Sequence, residues 1–154
     1  MKKFNIDNYN EISKEDIIEL AELAYSKMNE LLKNGEKPKY TLLGNMTHKF
    51  EVGQIAVYSA EGSCYVNVDG LSIMGLAGEL PNLSDAIATV EKEVSDIAET
   101  MYSIMYAKYS EIQFKLRRDK TLSGLNAIYD RLTEWKPKNR KQDQEPKFPD
   151  DRIG

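Results

Sequence analysis

Two side chains in this sequence could form a nucleophile and its base: His48 and Cys64, the only histidine and the only cysteine. Thiolate attack would need both at hydrogen-bond distance, with a third group orienting the imidazole. Cys64 lies mid-run in Ser63-Cys64-Tyr65-Val66-Asn67-Val68 with no flanking motif. That is the ordinary setting of a small buried hydrophobe, so the pair is not expected to act. One cysteine also excludes an intrachain disulfide or a cysteine metal cluster, and one histidine gives no zinc site. No glycine-rich nucleotide loop, nucleophile elbow or EF-hand spacing is present. No catalytic residue, metal or cofactor is expected, and the chain reads as non-enzymatic.

Paired carboxylates occur at Glu19-x-x-Glu22 and Glu93-x-x-Asp96. The pairs resemble the two halves of the metal motif in all-α nucleotide pyrophosphohydrolases. A β-rich region intervenes here, which that fold does not contain, and Glu93 and Asp96 lie off the apolar stripe of their helix. A solvated acidic face is the expectation. Gly75-Leu76-Ala77-Gly78 precedes a helical pattern and could imitate a phosphate cradle, but Glu79 and Pro81 stand where backbone donors should face an anion. The segment is expected to be a flexible exit. Tyr102, Tyr106 and Tyr109 follow at helical spacing, with Lys108, Lys115, Arg117, Arg118 and Lys120 close behind. Rings interleaved with cations could stack on and steer single-stranded nucleic acid, with Tyr102, Tyr106, Lys115, Arg117, Arg118 and Lys120 as contacts. The stronger expectation is that the tyrosines flank a helix–helix interface.

The element that would position these groups is a long amphipathic helix over residues 81–120, capped by Asn82 with Asp85. Apolar residues recur as Leu83, Ile87, Val90, Val94, Ile97 and Met101, alternating steps of four and three as in a heptad. Met105 and Tyr109 continue the stripe. Residues 81–107 carry Asp85, Glu91, Glu93, Asp96 and Glu99 against Lys92; residues 108–120 are basic on balance. That polarity suits the helix dipole. A rod of roughly 55 Å exceeds the diameter of about 40 Å expected for a compact chain of this size. The reading is therefore self-association, as a homodimer, through Ile87, Val90, Val94, Ile97, Met101 and Met105.

The remaining elements are shorter. Ser13 and Asp16 cap a first helix that ends at Asn34-Gly35. Residues 39–76 read as an antiparallel meander: strands at Gln54–Ser59 and Ser63–Val68, turns at Glu61-Gly62 and Asp69-Gly70, and a third strand at Leu71–Met74. Either Tyr40–Leu43 or His48–Val52 supplies a fourth. Leu122, Leu125, Ile128, Leu132 and Trp135 mark a shorter C-terminal helix that turns back to cover Phe114. The fold class is α+β, one domain over residues 1–135, followed by a disordered charged tail over 136–154 in which Phe148 and Ile153 are the isolated apolar residues.

The net charge of −4 argues against non-specific binding to nucleic acid or anionic membrane. No apolar run is long enough to span a bilayer, and the residues after Met1-Lys2-Lys3 are too polar for an exported leader. The expected home is the cytoplasm. Abundant Lys, Asn, Ile and Tyr hint at an AT-rich bacterial or phage genome. The expected function is binding of a protein partner as an adaptor or inhibitor, with acidic faces at 11–36 and 85–99 opposing a basic surface. Nucleic-acid binding is the second expectation and an enzyme with an unrecognised site the third.

Overall fold

A computed structural model describes residues 4–135; the expected tail from residue 136, with Phe148 and Ile153, lies outside the described residues. Three helices and five strands follow in the order α1 (Lys14–Lys33), β1 (Lys39–Leu43), β2 (Thr47–Val52), β3 (Ile55–Ala60), β4 (Ser63–Val68), β5 (Leu71–Ser72), α2 (Ile73–Ala77) and α3 (Ile87–Thr133). The expected α+β arrangement is present, with an N-terminal helix, an antiparallel sheet and a long C-terminal helix; the shorter helix is α2, ahead of the long one, rather than the one expected from Leu122 to Trp135. By its internal contacts the chain divides into two units, residues 1–113 and 114–154. The division falls inside α3.

In the first unit, α1 begins where its cap predicts. The Asp16 carboxylate accepts from the Ser13 N–H at 2.9 Å, satisfying a donor that the first turn leaves open. Gly35, at φ +96°, closes the helix in the left-handed region, and the Glu36 N–H returns to the Leu31 carbonyl at 3.0 Å. The sheet is a meander in the order β1-β2-β3-β4-β5. Both strands proposed as alternatives for a fourth position form, as β1 and β2, paired from Lys39↔Glu51 to Leu43↔Thr47. Glu61-Gly62 and Asp69-Gly70 each place two successive residues at positive φ, the backbone of a tight hairpin whose twist matches its strands. Leu71-Ser72 is a strand, but Ile73 and Met74 turn helical, because the Ser72 hydroxyl caps the Gly75 N–H at 3.0 Å.

Alternation sends one side of the sheet inward. Phe50, Val57 and Val66 face each other across β2, β3 and β4 and are almost wholly buried. Ile17, Ala21, Ala24 and Met28 of α1 join the same core as Val90, Val94, Ala98, Met101 and Met105 of α3. The other side of the sheet carries Lys49, Tyr58 and Tyr65. The two tyrosine rings stack at 5.0 Å, and the Lys49 ammonium lies 5.6 Å from the Tyr58 ring centre. At the β2–β3 corner Gly53 adopts φ +57°, and a Cβ there would come within 3.0 Å of Leu31 Cδ1.

The start of α3 differs from expectation. Pro81–Leu83 forms a 3-10 turn, and the Ser84 hydroxyl donates to the Pro81 carbonyl at 3.3 Å. The α-helical bonds begin from the Ala86 carbonyl instead, which accepts the Val90 N–H at 3.0 Å. The Asn82–Asp85 cap does not open the helix. The expected reversal after Lys120 is also absent: α3 runs unbroken to Thr133. Gly124 weakens a helix by about 1 kcal/mol relative to alanine, which is too little to stop one by itself.

Candidate interaction surfaces

Of the six side chains expected at a subunit interface, Val90, Val94, Met101 and Met105 are fully buried within the single chain, and Ile87 and Ile97 are half-buried against the same core. Their burial requires no second copy. A small antiparallel sheet must have one face covered, and the first part of α3 supplies the cover. Ala98, absent from the expected stripe, has no exposed surface. It sits four residues after Val94 and three before Met101, on the buried face.

The tyrosine edge is partly absorbed by the same packing. Tyr102 and Tyr109 lie 5.1 and 5.5 Å from Phe50, edge-on, and Tyr109 also meets Tyr40 at 5.7 Å. Burial, then the neighbouring Tyr40, Cys64 and Tyr106, pushes the Tyr102 hydroxyl above the ordinary tyrosine range. Tyr106 is more than half exposed. These rings belong to the first unit. Lys115, Arg117, Arg118 and Lys120 belong to the second and are exposed. Arg118 Nη2 pairs with Asp119 Oδ1 at 3.0 Å.

The second unit presents a different surface. Leu116, Leu122, Leu125, Ile128, Tyr129, Leu132 and Trp135 are each between 51% and 71% exposed, and Phe114 is 64% exposed. Leu122, Leu125, Tyr129 and Leu132 follow steps of three, four and three, the spacing of a helix–helix seam. Thr121, Leu125, Ile128, Leu132 and Trp135 trace the same seam one residue aside.

The residues weighed for chemistry do not converge. His48 and Cys64 are both in register with Ser59, on strands separated by β3. His48 Nδ1 is engaged by the Tyr40 hydroxyl at 2.7 Å. Burial pushes the Cys64 thiol up; the Ser59 hydroxyl pulls it part of the way down, and Glu99 raises it. A buried, protonated thiol is a poor nucleophile. Asp96 pairs with Lys92 at 3.1 Å on an exposed face. Among the described residues, no group of three or more His, Cys, Asp or Glu side chains could hold a metal ion, and no helix is long and apolar enough to cross a membrane. Gly75 and Gly78 are the body and cap of α2 rather than a loop, and the Gly75 N–H is already occupied by Ser72. No family model, curated protein or solved structure matches the chain.

Proposed function

We propose that this is a non-enzymatic protein-binding module that self-associates through the second part of α3. The observation that supports this is the exposed seam from Leu122 to Trp135. Knobs-into-holes packing needs a facing helix with matching spacing, which a second copy of the segment supplies. The heptad stripe of residues 83–101 is not that partner, since its central side chains are already buried. Most helical stability in proteins comes from packing of an apolar face, so burying the seam would also stabilise the helix that bears it. The acidic faces of α1 and of the first turns of α3 would then be displayed twice in the assembly, for a basic surface on an adaptor's or inhibitor's target.

The test is solution mass across a concentration range, by light scattering. A particle heavier than one 17.6 kDa chain is expected. Replacing Leu125→Asp together with Leu132→Asp should return it to one chain, with the tyrosine near-ultraviolet circular dichroism of the first unit unchanged. A single-chain mass for the parent protein at every concentration would overturn the reading. Salt-dependent retention of single-stranded DNA, lost on Arg117→Glu with Arg118→Glu, would favour the nucleic-acid reading instead.

A further inference from the structure

The first unit contains a recess that neither the sheet's packing nor the α3 seam uses. It is about 470 Å³ in volume and lies among α1, α2 and the ends of β3, β4 and β5. Ile17, Ile55, Ile73 and Ala77 line it from within the buried core. Leu23, Leu71 and Leu76 line it too but are 48%, 60% and 58% exposed, so they form its mouth. Its walls are hydrocarbon almost throughout, and among the described residues the charged ones lining it are Lys27 and Asp69. The volume is in the range of small-molecule sites.

We propose that this recess binds one free aliphatic carboxylate, with the chain inside and the carboxylate at the Lys27 ammonium. Three observations select that chemistry. Water in the recess would find few hydrogen-bond partners, so apolar matter is the favoured filling. An extended peptide would bring backbone N–H and C=O groups into walls that cannot satisfy them, whereas a hydrocarbon chain brings none. Among the described residues, Lys27 is the one cationic residue of the lining. Its present partner, Glu30 at 3.2 Å, forms an exposed pair of a kind that holds weakly and can be exchanged for a ligand carboxylate. Asp69 disfavours a head group on its own side, and its N–H is tied to the Gln54 carbonyl at 2.8 Å. That leaves Lys27 to receive the anion.

The experiment is isothermal titration of the full chain with octanoate, decanoate and dodecanoate, each below its micelle concentration, with decanol as the uncharged control. One site per chain is expected. The dissociation constant should tighten about fourfold per added methylene until the recess is filled. Lys27→Gln should weaken decanoate and leave decanol unchanged. Leu76→Glu, at the exposed mouth, should weaken both without disturbing the fold; Ala24→Leu, which narrows the recess, should shorten the longest chain accepted. Absence of saturable binding, affinity independent of chain length, or indifference to both Lys27→Gln and Leu76→Glu would each overturn the proposal. So would co-sedimentation with phosphatidylcholine vesicles in place of binding to the monomeric acids, because the ligand would then be a membrane. None of these outcomes depends on whether the α3 seam pairs two copies.

Discussion

Residues 87–109 and 116–132 of α3 carry similar apolar spacing, and they meet opposite fates. In the first stretch Val90, Val94, Ala98, Met101 and Met105 have almost no exposed surface. In the second, every large apolar side chain is more than half exposed. The difference is not in the period but in what lies opposite it. The first stretch shares a buried core with Phe50, Val57 and Val66 of the sheet and with α1; the second leaves its apolar side chains exposed. Apolar periodicity identifies a face that wants burial and says nothing about whether the same chain or another molecule provides it.

The largest expected effect comes from cutting the two stretches with the same tool. Met101→Ala should cost about 2–5 kcal/mol of the first unit's stability, since it leaves a cavity in a closed core. Leu125→Ala should change that stability by no more than about 0.5 kcal/mol, as exposed substitutions usually do. Denaturant unfolding followed by tyrosine near-ultraviolet circular dichroism measures both. Equal costs would abolish the distinction between the stretches.

A smaller effect follows from the groups buried beside the first stretch. Burial raises both Cys64 and Tyr102, so the folded state holds their protons more tightly than the unfolded chain does. The stabilisation is fully present below the ordinary thiol value of about 8.5 and is lost as pH rises through the raised values. The melting temperature of the first unit should therefore fall as pH climbs above about 8.5. Cys64→Ala with Tyr102→Phe should flatten that fall, and a slope unchanged by the pair would show that the alkaline sensitivity has another source.

The smallest effect belongs to the second stretch. A Cβ at Gly124 would meet nothing within 4 Å. Gly124→Ala should therefore stabilise the helix by about 1 kcal/mol, read from the thermal loss of ellipticity at 222 nm, with no gain in the first unit. A gain that appears equally in the first unit would mean that the two stretches melt as one.

Much of the fold was legible because local chemistry and global structure agree. Ser13 and Asp16 mark the start of α1, Gly35 its end, and the two residue pairs Glu61-Gly62 and Asp69-Gly70 specify hairpins by demanding positive φ. Reading failed where two local signals competed. Leu71-Ser72-Ile73-Met74 has strand composition throughout, but the Ser72 cap turns its second half into α2. Asn82 is a good cap by type, yet Pro81 holds it inside a 3-10 turn. Phe114, which needs a cover, suggested a returning helix, which the unbroken hydrogen-bond ladder of α3 excludes. The apolar recess was invisible for another reason. Its walls come from α1, three strand ends and α2, and each contributing residue looks like an ordinary core position in its own segment.

Gly53 has a consequence for how the two layers of the first unit are spaced. With φ +57° and Leu31 Cδ1 within 3.0 Å of where a methyl would be, the corner between β2 and β3 approaches the end of α1 with room for a hydrogen atom and little more. The Leu31 methyl could swing aside, but the backbone twist at residue 53 would still penalise a side chain. A side chain at that corner would therefore be penalised mainly through the backbone, while Leu31 at the end of α1 would have to give by a few tenths of an ångström.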